Sequence, residues 1–315
     1  MLAYIRRRLL TLIPVVFGVT LFVFLMLHLS PADPVLMVLE QASTSGPRPQ
    51  ATAENYRLIR QQMGLDKPLA VQYGEFLARA ARGNLGVSFR TGRSVWNMIR
   101  SNATPTIHLA AVGMGFAIVL GLVLGVIAAA RHDTWVDVGV MAFSVAGLSM
   151  PSFWLGIVLL LFFAFYLGWL PLLYQPGWWG LILPGLALGV RAAAVIARLT
   201  RSSLVEILNL DYIRTAWAKG LPGRLVVYKH ALRNALIPVV TVVGLQFGSL
   251  LAGTVVIETV FGRPGIGTMV MDGIAVNDFP LVQGAVLVLA ISYMVVNLIV
   301  DLSYALLNPE IRFGG

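Results

Sequence analysis

Histidines, acidic residues and glycine-rich stretches are the groups in this chain whose spacing could support catalysis or ligand binding. The four histidines are scattered, and no His-Glu-x-x-His pattern places two metal ligands on one helix face. No Gly-x-Ser-x-Gly turn presents a nucleophilic serine. The chain has no cysteine, which excludes thiolate chemistry and disulfides. We therefore expect that the chain is not an enzyme and that it binds neither a metal ion nor a cofactor.

A glycine-rich stretch, Gly262-Arg-Pro-Gly-Ile-Gly267-Thr268, superficially resembles a phosphate-binding loop. Such a loop needs a lysine after its second glycine, because that ammonium group reaches the terminal phosphates. Thr268 stands at that place. The topology predicted below also puts this loop outside the cell, so we expect no nucleotide site here.

A polar, basic stretch between two long apolar segments is the most informative feature of the chain. It reads Asp211-Tyr-Ile-Arg-Thr-Ala-Trp-Ala-Lys-Gly220 and runs on to Pro238. Asp211 can cap a helix over 212–219, Gly220 can end that helix in a left-handed conformation, and Pro222 prevents its continuation. A second helical stretch is predicted at about 224–233. We interpret the first helix as a docking surface in the cytosol; the alternative is a solvated basic loop that only sets the topology.

The composition places these segments in a membrane. Apolar residues make up 58% of the 315 residues, charged residues make up 12%, and the mean hydropathy is +0.82. Soluble domains carry about 25% charged residues, so the bilayer is the solvent that suits this chain. The net charge is +9, and the basic residues lie between the apolar spans rather than on one continuous face. This distribution is typical of residues that set the orientation of a protein in the membrane, and not of a nucleic-acid-binding surface.

Hydropathy predicts an all-α polytopic membrane protein with six transmembrane helices. The first is interpreted as an uncleaved span rather than a signal peptide, because its apolar run is long enough to cross a bilayer. Short loops rich in Lys and Arg stay inside, so both termini are predicted to be cytoplasmic. The predicted spans are 9–29, 106–130, 138–168 (with Pro151 as a candidate kink), 181–200, 235–260 and 281–306.

The segment at about 30–104 is expected to be extracytoplasmic despite its basic residues, because long loops are largely exempt from the charge rule. Residues 42–53 read as a flexible loop. Helical periodicity at 54–63 and 71–82 predicts a small cap of short helices.

Polar residues within the spans are candidates for a translocation cavity. Arg191 lies inside the fourth span, where a charge usually faces a protein interior or water, and Gln246 and Ser149 join it as candidate cavity residues. Arg198 lies nearer the cytoplasmic boundary and can snorkel. Small residues four apart, as in Gly121-x-x-x-Gly125, Gly185-x-x-x-Gly189 and Gly244-x-x-x-Gly248, predict close helix packing, within the chain or with a second subunit.

The polar stretch resembles the coupling motif of ABC-importer permeases. It departs from the Glu-Ala-Ala form of sugar permeases, since Arg214-Thr-Ala216 stands there, and is similar to the dipeptide, oligopeptide and nickel branch. The same branch is matched by Ala197-Arg-Leu-Thr-Arg-Ser-Ser203, Glu258-Thr-Val-Phe261, Asp278-Phe-Pro-Leu-Val-Gln-Gly284 and Asn308-Pro-Glu-Ile-Arg312. Gly83-Asn-Leu-Gly86 is typical of the first of two permeases.

The resemblance implies a permease of the type I importer fold in a bacterial inner membrane. Its implied partners are a second homologous permease, two cytosolic ATPases that carry ATP and magnesium, an extracytoplasmic solute-binding protein and membrane lipid. Implied divisions are 1–94 (first helix and cap), 95–305 (permease domain) and 306–315 (cytoplasmic tail). The ATPase contact would involve Asp211, Tyr212, Arg214, Thr215, Ala216, Trp217, Ala218, Lys219, Gly220 and Leu221.

The substrate implied by the resemblance is a di- or oligopeptide or a peptide-like solute such as glutathione, with a nickel chelate as the alternative. Two other classes remain open from the residues alone. A self-contained secondary carrier would need inverted repeats or paired ionisable residues at the midplane, and an intramembrane enzyme would need two catalytic groups at depth.

Overall fold

The chain folds into helices joined by short turns, as a computed structural model shows for residues 2–29, 33–36, 39 and 53–307. Apolar segments in lipid favour helices because each backbone amide can bond within its own segment. In the described ranges the β-type pairing is limited to an isolated bridge between Val87 and Ser94, which confirms the all-α class. The helices are α1 Leu2–Leu29, α2 Ala53–Gln62, α3 Leu69–Ala81, α4 Val95–Ala130, α5 Trp135–Ser149, α6 Ser152–Leu159, α7 Trp179–Leu208, α8 Asp211–Ala218, α9 Leu232–Val260, α10 Ile266–Ala275 and α11 Phe279–Leu307.

Two π-helical stretches extend the α-helices next to them. Leu160–Tyr166 continues α6, and Val226–Ala231 leads directly into α9 after a short turn at Gly223–Leu225. The loop predicted at 42–53 lies outside the described residues except for Ala53, which begins α2, and so does the tail beyond Leu307.

Helices long and apolar enough to cross a bilayer number four among the described residues, at 95–130, 179–208, 223–260 and 279–300. The kink predicted at Pro151 within the span at 138–168 is confirmed: Trp135–Ser149 and Ser152–Tyr166 are bent by 108° relative to each other. Pro151 explains the break, because the residue before a proline is driven out of the helical region, and Met150 is extended at φ −79° and ψ 129°. This pair gives up to five spans, and Ile13–Leu29 is a shorter apolar helix, so the count of six stays a prediction.

The chain divides into two compact units, residues 1–105 with 264–294 and residues 106–263 with 295–315. In the first unit, α2 and α3 confirm the predicted cap helices. Tyr73 lies 3.0 Å from the Thr20 hydroxyl and Gln72 lies 3.0 Å from His28 Nε2, so α3 is tied to α1. The carboxylate of the buried Asp278 accepts hydrogen bonds from the Ser88 hydroxyl and the Phe89 amide, and these bonds fix the turn before α4.

In the second unit, glycines bring α4 and α7 into close contact. A Cβ at Gly189 would lie 2.4 Å from the carbonyl oxygen of Gly113, and one at Gly121 would lie 2.6 Å from Cγ2 of Ile196. A Cβ at Gly244 would likewise meet Val300 at 2.7 Å. The small-residue patterns therefore serve packing within the chain, where close backbone approach stabilises helix pairs in lipid.

Candidate functional site

The short helix α8 begins three residues after α7 ends at Leu208. Its N-cap is Leu210, which is extended at φ −76° and ψ 150° and forms no side-chain cap bond. The prediction of Asp211 as the N-cap is therefore wrong, because the turn from helical to extended backbone occurs one residue earlier. Asp211 is instead the first helical residue and lies 3.5 Å from the guanidinium of Arg214. There its carboxylate is favoured by the positive end of the helix dipole.

The C-terminal end of α8 has the predicted left-handed glycine. Gly220 has φ +75°, its amide donates to the Trp217 carbonyl at 2.9 Å, and the Leu221 amide donates to the Ala216 carbonyl at 3.4 Å. These bonds satisfy carbonyls that the helix would otherwise leave without partners. Pro222 then begins the next turn in an extended conformation, so α8 ends one residue before the predicted position, at Ala218.

The inner face of α8 fixes the helix to the second unit. Ile213 is fully buried and Ala216 is 8% exposed. Ala216 is among the residues implied to contact an ATPase, but its small side chain packs within the chain, in a cluster with Ala129, Leu204, Val226, Ala231 and Ala235. Tyr212 adds a polar tie, since Asn234 donates to its hydroxyl at 2.9 Å.

The outer face of α8 is exposed and chemically mixed. Tyr212 and Trp217 are 43% and 49% exposed, and Leu221 is half-buried. The Trp217 ring lies against Gly223, where an added Cβ would be 3.0 Å from Cη2, so the indole is held in place without being covered. The other exposed residues of the predicted contact are Asp211, Arg214, Thr215, Ala218, Lys219 and Gly220.

The helical stretch predicted at about 224–233 is confirmed as helical, but it runs without a break into the following span. Residues 223–260 form one continuous helical span that begins with Gly223–Leu225 and continues through the π-helical stretch Val226–Ala231. Pro222 is the last helix-breaking residue before it, and Pro238 lies inside α9. The exposed α8 is therefore the independent short helix of this region.

A partly buried ion pair that the sequence did not indicate joins α5 to α7. Arg201 donates from Nε to Asp137 Oδ1 at 3.0 Å and from Nη2 to Oδ2 at 2.6 Å, and the Asp133 amide adds a third bond at 3.2 Å. Such bidentate pairs are strong and directional. A pairing across 64 residues leaves no local spacing signal in the sequence.

Three acid and imidazole groups, His132, Asp133 and Asp137, have ligand atoms within 4.8 Å of one another. Both oxygens of Asp137 already face the Arg201 guanidinium, and His132 lies 2.9 Å from Asp133. The cation that this cluster holds is thus the arginine.

The three candidate cavity residues lie on three different helices. Arg191 is exposed on α7 and Gln246 is half-buried on α9. Ser149 is exposed at the end of α5, with its hydroxyl bonded to the Val145 carbonyl at 2.9 Å. All three lie in the described part of the chain, and no hydrogen bond there joins any two of them.

Arg263, within the glycine-rich stretch Gly262–Thr268, is a buried packing residue. It is 5% exposed, its Nη1 donates to the Gly180 carbonyl at 2.8 Å, and its guanidinium lies 5.0 Å from the centre of the Tyr174 ring. These contacts tie the start of α7 and the segment before it to the turn that follows α9.

Comparison with known proteins gives consistent matches along the chain. Residues 121–313 match the family described as "binding-protein-dependent transport system inner membrane component", and residues 1–110 match its N-terminal family. The glutathione transport system permease protein GsiC of Escherichia coli K12 is 43% identical over 313 residues, which cover 99% of this chain and 100% of that protein. GsiC of Shigella dysenteriae serotype 1 matches equally well.

Solved structures show the same fold at low identity. The inward-facing MetNI methionine ABC transporter matches 67% of this chain and 96% of its own, with a TM-score of 0.57 and 20% identity. An amino acid ABC transporter with histidines matches 66% and 93%, with a TM-score of 0.53 and 11% identity.

Proposed function

This chain belongs to the family of binding-protein-dependent ABC importer permeases of the inner membrane, and we propose that it imports peptide-like solutes, glutathione among them. The observation that carries the proposal is its 43% identity along the full length of permeases named for glutathione transport. Members of this family are the non-catalytic membrane subunits of their transporters.

The proposed assembly contains this chain, a second homologous permease, two cytosolic ATPases and an extracytoplasmic binding protein. ATP and magnesium would be bound by the ATPases. Six spans with both termini in the cytoplasm would place α8 on the side of the ATPases. The cap within 1–94 would then be outside, the permease domain would occupy 95–305, and 306–315 would be the cytoplasmic tail.

We propose α8 as the element through which the ATPases move the permease. Its exposed side offers an aromatic anchor in Trp217 and charges in Arg214 and Lys219, and buried aromatic and arginine side chains commonly dominate such contacts. Its inner side is packed through Ile213 and Ala216. A helix held in this way moves together with the spans on which it packs.

Transport then follows from a shift between two conformations. ATP binding closes the ATPases, α8 follows, and the spans exchange inward-facing and outward-facing states. The nucleotide shifts that equilibrium only through its different affinity for the two states. The Asp137–Arg201 pair ties α7, the span that leads into α8, to α5.

The test is ATP-dependent uptake by proteoliposomes that contain the complete complex. Labelled glutathione, a dipeptide set and chelated nickel are supplied with the binding protein, with ATP omitted as the control. Accumulation of glutathione or a dipeptide only with ATP supports the proposal. Accumulation of nickel alone would overturn the substrate class, and uptake without the ATPases would overturn the mechanism.

A further inference from the structure

The span α7 carries an exposed polar stripe although it is the most enclosed of the apolar helices. In its apolar window 67% of the residues are buried, against 39%, 22% and 44% in the other three long spans among the described residues. Arg191, Arg198 and Ser202 are nevertheless exposed. They are seven and four residues apart, which places them on one side of a helix.

Depth in the membrane separates Arg191 from an ordinary boundary arginine. It lies about 4 Å from the midpoint of α7 at 1.5 Å per residue. Arg198 follows about 10 Å further toward the cytoplasmic end. A charge at such depth is costly in lipid and is found facing a protein interior or a water-filled cavity. Arg191 therefore faces something other than acyl chains, and Arg198 and Ser202 lie on the same side of the helix.

A third arginine on the same helix, Arg201, differs from these two because its charge is paired with a carboxylate. Arg201 points to α5 and forms the two bonds with Asp137. Arg191 and Arg198 form no ion pair with any residue in the described ranges. Their positive charges are thus available to a group from outside the described residues.

We propose that Arg191 and Arg198 line the solute pathway and bind carboxylates of passing solutes, which makes the permease selective for net-anionic peptides. This inference rests on the proposed import of peptide-like solutes. Guanidinium groups bind carboxylates through two parallel hydrogen bonds, and two such sites about 10 Å apart along one helix give an anion successive positions. Because the binding protein delivers all solutes alike to each variant, a preference changed by a substitution on α7 belongs to the permease.

The experiment compares pairs of closely related solutes that differ in net charge, in the complete proteoliposome system. Glutathione, which is net-negative near neutral pH, is paired with its neutral monoethyl ester, and the dipeptide Ala-Glu is paired with Ala-Gln. Uptake ratios within each pair are measured for wild type, Arg191→Gln, Arg198→Gln and Arg191→Lys. Arg57→Gln, which removes an exposed charge from α2, is the matched control.

We expect the anionic-to-neutral ratio to fall about tenfold in Arg191→Gln, as for the loss of one charge-assisted bond. It should fall less in Arg191→Lys and stay unchanged in Arg57→Gln. The inference is overturned if the ratio in Arg191→Gln equals that of wild type, or if both solutes of a pair decline in parallel. Loss of the complex on co-purification of Arg191→Gln would also overturn it, because the arginine would then serve assembly. If wild type transports no solute at all, the proposed function itself fails.

Discussion

Replacing Gly189 with alanine tests whether α4 and α7 are held together by direct backbone contact. The new Cβ would lie 2.4 Å from the Gly113 carbonyl oxygen and 3.3 Å from the Ala117 nitrogen. Ordinary contacts begin near 3.4 Å, so the two helices must separate by about 1 Å, and both obstacles are backbone atoms that cannot rotate away. Overpacking of this kind costs about 1–3 kcal/mol, offset by up to about 1 kcal/mol from the better helix propensity of alanine.

The net expectation is a loss of about 1 kcal/mol in the free energy of unfolding, which is the midpoint of the overpacking cost less the propensity gain. Gly115→Ala in α4 is the matched control, because a Cβ there meets nothing within 4 Å and only the propensity gain remains. Reversible unfolding in mixed detergent–SDS micelles, followed by helix content, measures both variants. Equal stability of Gly189→Ala and Gly115→Ala would refute the claimed close approach.

Two further substitutions test the region around α8. A double-mutant cycle of Asp137→Ala and Arg201→Met in the same micelles should give a coupling energy of about 2 kcal/mol. This value lies between those of exposed and fully buried ion pairs, because Asp137 is 5% and Arg201 25% exposed. A coupling energy near zero would show that the pair contributes nothing to stability. Gly220→Ala should lower the unfolding temperature through about 1 kcal/mol of left-handed strain, while Gly220→Asn should lower it less, and equal effects of the two would contradict a purely conformational cost.

Local sequence rules predicted much of α8 and its surroundings. The left-handed Gly220, the stop at Pro222 and the cap helices at 54–63 and 71–82 follow from residue-level preferences, and the structure confirms them. The start of α8 was missed by one residue, because capping depends on whether Leu210 or Asp211 is extended. Propensity does not distinguish these two positions.

Contacts between residues that are far apart in the chain could not be predicted from the sequence. The pairing of Asp137 with Arg201 joins residues on different helices, and no periodicity reports it. The inward direction of Ala216 likewise depends on how α8 packs rather than on its composition. The 108° break at Pro151 shows the same limit, since proline predicts a disruption but not its angle. The role of α8 in ATPase contact and of Arg191 in the pathway stay predictions.

We propose that separate ATPases bind this permease at the exposed side of α8. The most direct measurement is photo-crosslinking in intact membranes, with a benzophenone amino acid at Trp217 or Lys219 and, as the control, at Arg57 in the cap. We predict ATPase adducts from positions 217 and 219 and none from 57. Absence of adducts from both α8 positions, in a complex that still imports solute with ATP, would contradict the account.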